Sequence, residues 1–174
     1  MAITLISTVT VGAGGAASID FTSIPGTYTD LMVVCSLRAS NANTDGNVTF
    51  NGLTTNLSSR QLYGSGSSTG SSSSASQILS YGLADASTYT ASTFSNVAIY
   101  VPNYAGSTNK SVSIDALVEN NATAAYQTLV AGLWASTAAI TQVTLKADTG
   151  NLVQYSTASL YGIKSGASGG VTVS

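Results

Sequence analysis

Short runs in which apolar and polar residues alternate recur along the chain and predict β-strands. In residues 3–11 every second position except Ser7 is apolar, as on a strand with one buried face. Residues 30–38 are apolar at most positions, which suits a central strand covered on both faces. Further strands, bounded by Gly, Asn, Pro or Ser clusters, are predicted at residues 47–50, 60–63, 94–101, 110–119, 126–134, 140–147 and 152–163.

This pattern predicts an all-β protein. About eight to ten short strands separated by turn residues are typical of an antiparallel β-sandwich or jelly roll. A solenoid is the alternative architecture, but the sequence shows no fixed repeat of about 20 to 50 residues. The Gly-rich residues 12–15 predict a hairpin turn that joins the first strand to residues 18–21.

Residues 1–164 are predicted to form a single domain, because a chain of 174 residues suits one hydrophobic core. Within this domain, residues 64–76 (GSGSSTGSSSSAS) have the composition of a flexible linker and predict a long surface loop. Residues 165–174 have the same character and predict a flexible C-terminal arm.

The composition shows that the chain has many polar residues but few charged ones. It has five Lys and Arg, seven Asp and Glu and no His, so 7% of its residues are charged, against about 25% in an average domain. An apolar fraction of 44% indicates a folded core. The lack of a basic cluster argues against nucleic-acid binding, and no apolar run is long enough to predict a membrane span. Without a signal-peptide pattern, we expect synthesis in a host cytoplasm and no export.

The sequence offers little catalytic chemistry, and we predict that the protein is not an enzyme. Without His, the Ser-His-Asp and Cys-His arrangements and the commonest metal ligand are missing. Residues 41–46 (NANTDG) begin like a calcium loop, but Gly52 stands where the bidentate Glu belongs, so a plain loop is predicted. Asp115 and Glu119 would lie about 13 Å apart on one strand, too far for a glycosidase pair. We therefore predict no catalytic, cofactor-binding or metal-binding residue, and we expect Cys35 to be buried and inert.

Aromatic residues are the candidates for contacts with other molecules. Tyr100 and Tyr104 flank Val-Pro-Asn103, at the end of a predicted strand. We take Tyr100, Asn103 and Tyr104 as interaction candidates, with an exposed contact and core packing both open for Tyr104. Trp134 and Tyr161 alternate with apolar residues and are predicted to pack in the core.

Five strings of residues resemble a group of small structural proteins of tailed bacteriophages, common in aquatic phages. The strings are residues 19–31 (IDFTSIPGTYTDL), 99–106 (IYVPNYAG), 120–126 (NNATAAY), 131–134 (AGLW) and 154–164 (QYSTASLYGIK). They span most of residues 19–164 and carry no catalytic motif. The resemblance implies a virion structural protein with a β-sandwich fold, such as a capsid cement (decoration) protein or a fibre-like component.

The leading hypothesis is a cement protein on the outer surface of a phage capsid. We expect a homotrimer that binds the phage major capsid protein, needs no cofactor, and contacts neither nucleic acid nor membrane. Ser, Thr, Asn and Gly cost less to bury than charges, so this surface suits packing in many copies. Two alternatives stay open. One is a tail-fibre or receptor-binding component whose Tyr side chains, around residues 64–76, recognise host glycans; the other is a carbohydrate-active enzyme that uses the scattered acids.

Overall fold

The computed structural model describes residues 2–121 and 125–164, in which every regular element is a β-strand. Twelve strands form two antiparallel sheets, which confirms the all-β prediction and is consistent with a β-sandwich. The number of strands exceeds the prediction, and their order does not establish a jelly roll. The predicted arm at 165–174 lies outside the described residues. The strands are β1 (Ala2–Thr10), β2 (Ile19–Phe21), β3 (Asp30–Ser36), β4 (Gly46–Phe50), β5 (Leu57–Gly64), β6 (Thr69–Ser74), β7 (Ile78–Ser80), β8 (Asn96–Val101), β9 (Lys110–Val118), β10 (Tyr126–Trp134), β11 (Val143–Ala147) and β12 (Thr157–Lys164).

The larger sheet holds eight strands in the order β1-β12-β3-β8-β9-β10-β5-β6. Its longest pairing joins β9 to β10, from Val118 opposite Tyr126 to Lys110 opposite Trp134. Buried and less buried side chains alternate along both strands, so one side of the sheet packs into the core. The opposite side is called the outer face below.

The smaller sheet, in the order β2-β11-β4-β7, covers the inner side of the larger one. The Phe50 ring of β4 lies 5.7 Å from the Trp134 ring of β10, centroid to centroid, and both side chains are fully buried. The prediction that Trp134 packs in the core is thus confirmed. Gly132 faces Ile78 of β7, and a Cβ at Gly132 would lie 3.0 Å from Ile78 Cγ2, so the missing side chain lets the two sheets approach closely.

The first two strands do not form the predicted hairpin. β1 pairs with β12 in the larger sheet and β2 pairs with β11 in the smaller one, so the turn carries the chain from one sheet to the other. The N–H of Gly15 donates to the carbonyl of Gly12 at 3.0 Å, and Gly15 has a φ of 70°, which favours glycine. Local composition identifies the turn, but the partner of each strand is decided by long-range burial of its apolar face.

The structure also differs from the surface loop predicted at residues 64–76. Thr69–Ser74 form β6, which pairs with β5 at the edge of the larger sheet. The connecting turn is short and is closed by a hydrogen bond from Ser65 N to Ser68 O. An exposed edge strand needs no apolar face of its own, and a short, hydroxyl-rich edge offers little apolar surface to which another chain could add.

A buried ion pair organises the connection between β7 and β8, residues 81–95. Arg38 Nη1 lies 3.4 Å from Asp85 Oδ2, and the two side chains are 11% and 1% exposed. The same guanidinium donates to the carbonyl of Thr93 at 2.9 Å and to that of Tyr89 at 3.1 Å. Charge-assisted bonds from one side chain therefore hold a segment that has no strand of its own.

Cys35 lies on the inner side of β3, and only 4% of its surface is exposed. Burial raises the pKa of its thiol to about 12. Because the thiolate is the reactive form, the folded protein holds Cys35 in an unreactive state. The predicted burial is confirmed.

Replacing Asp85 tests the importance of the buried ion pair. Asp85→Ala leaves the Arg38 guanidinium without its carboxylate, so we expect a loss of about 3–5 kcal/mol in the free energy of unfolding, measured with urea. Glu119→Gln is the control, since Glu119 is exposed after β9 and the new amide oxygen can still accept from the N–H of Asn121, so stability should change by no more than about 0.5 kcal/mol. Equal unfolding midpoints for the two variants would contradict this role of Asp85.

Candidate interaction surface

The outer face of the larger sheet is strongly apolar. Large side chains that are 38–64% exposed point outwards from five of its strands and include Leu62, Tyr100 and Leu129. The complete set on this face is Ile3, Leu5, Val34, Leu62, Tyr100, Leu129 and Leu133. Exposed apolar residues that lie together in this way mark interaction sites.

Strand register places these residues in continuous rows across the sheet, because paired residues point to the same side. One row crosses from β12 to β6 through Ser159, Val34, Ala98, Asp115, Leu129, Leu62 and Ser71. The next row begins at β1 and runs through Leu5, Tyr161, Met32, Tyr100, Ser113, Ala131, Arg60 and Ser73. Tyr161 is therefore half-buried on the outer face, and the prediction that it packs in the core is wrong.

The two rows line a groove of about 780 Å³. The small side chains of Ala98, Ser113 and Ala131 form its middle, and the larger Tyr100 and Leu129 stand beside them. Small residues flanked by large ones leave a depression into which a protruding side chain of another protein can pack. Such shape complementarity is what distinguishes a specific interface from a merely apolar surface.

Two residues of opposite charge also line this groove. Arg60 on β5 and Asp115 on β9 lie on opposite sides of β10, and their partners on β10 are two residues apart. Their Cα atoms are therefore about 12 Å apart. Both are exposed, and in the described part of the chain no ion pair joins them. The groove therefore offers a cation and an anion to a partner at a fixed separation.

The structure separates the three interaction candidates that the sequence suggested. Tyr100 lines the groove and is 38% exposed, and Asn103 is exposed in the turn after β8, with a φ of 49°. Tyr104 is fully buried, so it is not an exposed contact. Its hydroxyl donates to the carbonyl of Pro25 and accepts from the N–H of Tyr28 at 3.4 Å. The turn reverses the chain, which brings Tyr104 back into the core.

Asp30 fixes Tyr100 to the turn after β8. Its Oδ2 accepts a hydrogen bond from the Tyr100 hydroxyl at 2.8 Å, and its Oδ1 accepts one from the N–H of Asn103 at 2.9 Å. The bond to Asp30 raises the pKa of Tyr100, because a phenol that donates to a carboxylate resists deprotonation. The hydrogen bond to Asp30 therefore fixes the position of the Tyr100 ring at the edge of the groove.

A second concave region lies at one end of the sandwich and is lined by tyrosines. Tyr63, Tyr81, Tyr89 and Tyr126 surround a space of about 390 Å³ together with residues 42–45. We call it the tyrosine cleft. Tyr63 comes from β5 and Tyr126 from β10, whereas Tyr81 and Tyr89 belong to the connection between β7 and β8. The cleft thus forms only when elements distant in sequence come together.

Three of these rings pack edge to face. The ring centroids of Tyr63 and Tyr81 lie 5.2 Å apart, and that of Tyr126 lies 6.2 Å from each. The planes meet at 61–65°, a geometry that aromatic quadrupoles favour. Gly70 of β6, opposite Tyr63, makes room for that ring, since a Cβ at Gly70 would lie 2.6 Å from the phenol oxygen.

Residues 41–45 form a loop, and β4 begins directly after it. The N–H of Asn43 donates to Asn41 Oδ1 at 3.2 Å, and the N–H of Asp45 donates to Asn43 Oδ1 at 3.0 Å, so short polar side chains shape the loop. Burial raises the pKa of Asp45, helped by the nearby charge of Asp148 and opposed by the bond with Asn43. Over residues 2–121 and 125–164, no three His, Cys, Asp or Glu side chains group as metal ligands would.

Sequence reasoning missed the tyrosine cleft and most of the outer face. Alternation shows which residues share a face, but the exposure of Leu62 and Leu129 depends on which face the second sheet covers. For the cleft, one signal was available: Tyr63 ends one predicted strand and Tyr126 begins another. The ends of strands gather at the ends of a sandwich, where loops form binding sites.

The described part of the chain contains no helix that is long and apolar enough to span a membrane. Comparison of the chain with protein families, curated proteins and solved structures gave no match. Folding of the single chain does not by itself explain why the outer face exposes so many large apolar side chains.

Replacing Asp30 tests the hold on Tyr100. Asp30→Ala removes the acceptor and the negative charge beside the phenol, so we expect the pKa of Tyr100 to fall towards its ordinary value. A pH titration of the tyrosine ring carbons by NMR measures the change against the natural chain. A Tyr100 pKa that does not move would show that Asp30 does not hold this ring.

Proposed function

We propose that this chain is a non-enzymatic structural protein of a bacteriophage particle, a capsid cement protein that stabilises contacts between major capsid subunits from the outer surface of the shell. The observation that carries the proposal is the open, apolar outer face of the larger sheet. Such a face is explained if it is buried in the assembled particle. The proposal that this is a virion protein rests on the resemblance of residues 19–31, 99–106 and 154–164 to phage structural proteins.

The outer face has the size of a protein interface. Eight strands side by side span about 34 Å, and four rows of outward residues span about 20 Å along the strands, which gives an area of roughly 700 Å². A standard interface takes about 800 Å² from each partner. The whole face therefore amounts to about one standard interface, and in a ring the two contacts of each copy would share this area.

Copies of this chain, arranged as a homotrimer, are the proposed first partner. In a closed ring the contact joins unlike sides of the face, so the β1 side with Ile3 and Leu5 meets the β5 side with Leu62 of the next copy. Arg60 and Asp115 lie about 12 Å apart, both towards the β5 side, so they would face the β1 side of the next copy. The hydroxyl groups between them cost less to desolvate than charges would.

Three of the strings that resemble phage proteins, residues 19–31, 99–106 and 154–164, contact one another in the fold. The hydroxyl of Tyr104 donates to the carbonyl of Pro25, and Lys164 Nζ lies 5.6 Å from the ring centroid of Tyr28. Gly162 leaves room for that ring, since a Cβ at Gly162 would lie 2.3 Å from Tyr28 Cγ. These contacts are structural, so the strings support a shared architecture rather than a shared binding site.

A cement protein acts by linkage and needs no chemical step. A protein that binds only the assembled shell stabilises that state by its own binding free energy. Each copy that bridges two capsid subunits adds cohesion against the pressure of packaged DNA. With 28 Ser and 23 Thr among 174 residues, much of this chain can be buried against other proteins without burying charge.

The location of the chain in purified particles tests the virion part of the proposal. We expect the chain in the head fraction, and cryo-EM should place it at symmetry positions on the outer surface of the capsid. Recovery in the tail fraction alone would favour the receptor-binding alternative and contradict a cement role. Absence from intact particles would contradict both.

The double variant Leu62→Ser, Leu129→Ser tests the outer face as the assembly surface. The two residues are opposite each other on β5 and β10 and are 64% and 55% exposed, so their replacement leaves the core intact. By analytical ultracentrifugation we expect a trimer for the natural chain and a monomer for the variant, with the same circular dichroism spectrum. The loss of the trimer follows from the apolar area removed from the contact.

Leu53→Ser is the matched control, because Leu53 is 47% exposed and lies in the turn after β4, away from the outer face. This variant should remain trimeric. A natural chain that is monomeric at every concentration, or a double variant that still forms trimers, would contradict the assignment.

A further inference from the structure

The tyrosine cleft is distinct from the outer face, and the proposed assembly does not use it. By alternation with the buried Gln61 and Thr128, Tyr63 and Tyr126 occupy inward positions of β5 and β10. Both are nevertheless only half-buried. The inner side of the larger sheet is therefore open at this end, and aromatic side chains line the opening.

The walls of the cleft are held in place before any ligand binds. The N–H of Tyr81 donates to Gln61 Oε1 at 3.1 Å, and the Tyr81 hydroxyl lies within 3.4 Å of Ser72 Oγ. The carbonyl of Tyr89 accepts a bond from the Arg38 guanidinium at 3.1 Å. A preformed site loses little conformational entropy on binding, which favours recognition of small ligands.

Polar groups complete the lining. Asn43 and Asp45 face the same space as the tyrosines, and Asn43 Oδ1 is already engaged by the N–H of Asp45. The carboxylate of Asp45 keeps acceptor positions beside its hydrogen bond with the Asn43 side chain, and phenol hydroxyls act as both donors and acceptors. The cleft thus combines aromatic rings with donors and acceptors.

We propose that the tyrosine cleft binds a neutral saccharide. A sugar ring presents apolar C–H groups that pack on aromatic rings and hydroxyl groups that pair with amides, carboxylates and phenols. The cleft volume of about 390 Å³ falls within the range of small-molecule sites, about 300–1,000 Å³. Binding involves no covalent step and does not depend on the oligomeric state of the chain.

A quaternary ammonium group is the other ligand that aromatic clusters take, and it needs open ring faces around the charge. A quaternary ammonium group offers no hydrogen-bond donor or acceptor, so it would leave the polar side chains of the cleft without partners, whereas the hydroxyl groups of a sugar can pair with them. The polar lining therefore favours the saccharide.

Saturation-transfer NMR on the full chain tests the proposal, with the methyl glycosides of glucose, galactose, mannose and N-acetylglucosamine as probes. We expect transfer to at least one glycoside and shifts in the ring signals of the cleft tyrosines. Transfer to none of the four overturns the proposal. Tighter binding of tetramethylammonium chloride than of any glycoside also overturns it, in favour of a cation site.

Variants locate the binding. Tyr81→Ala should weaken the affinity about tenfold or more, because one ring and one hydroxyl are lost. Tyr81→Phe keeps the ring and should lie between that variant and the natural chain. Tyr155→Ala is the control, since Tyr155 is an exposed tyrosine outside the cleft and its loss should leave affinity unchanged.

If Tyr81→Ala does not fold, Gly70→Ala gives the same test with every tyrosine present. A Cβ at Gly70 would lie 2.6 Å from the phenol oxygen of Tyr63, so it displaces that ring, and we expect a comparable loss of affinity. Binding that survives in Gly70→Ala and in Tyr81→Phe without change would show that the saccharide binds elsewhere.

Discussion

The connection between the two sheets depends on the guanidinium of Arg38. Residues 81–95 cross from the smaller sheet to the larger one without a strand of their own, so no regular ladder satisfies their backbone. Asp85 would be an uncompensated buried charge without Arg38, and the backbones beside the pair join as well: Ala39 N donates to Asp85 O at 2.7 Å. Because the carbonyl of Tyr89 also accepts from Arg38, one wall of the tyrosine cleft rests on the same side chain.

The two sheets differ in size and in the character of their outward sides. The outward side of the smaller sheet is polar: Asp20 accepts hydrogen bonds from Ser18 at 2.5 Å and Gln142 at 3.3 Å, and Lys146 lies on the same side. Several of the outward positions of the larger sheet are apolar instead. Folding alone does not demand this, since a strand with one buried face can carry polar residues on the other. The asymmetry therefore points to a contact made after folding.

Much of the fold could be predicted from the alternation of apolar and polar residues, because a strand with one buried side carries apolar residues at every second position. Pairing could not: the Gly-rich turn at residues 12–15 joins two sheets, and Ser-rich β6 is a strand because β5 offers it a free edge. The candidate surfaces were only partly predictable. Tyr100 was found from its position at a strand end, whereas the burial of Tyr104 follows from a hydroxyl bond to Pro25, 79 residues away along the chain.

The few charged residues of this chain have different structural roles, which depend on where they lie. Arg38 and Asp85 pair with each other inside the fold. Lys110 is also buried: its ammonium group donates to the carbonyl of Gly106 at 2.7 Å, and burial lowers its pKa. The groove of the outer face is left with Arg60 and Asp115, whose opposite signs give the groove no net charge. Before assembly, the serines between the leucines keep the face hydrated. In the proposed assembly, the same serines would be desolvated more cheaply than charges, so one composition suits both a free surface and an interface.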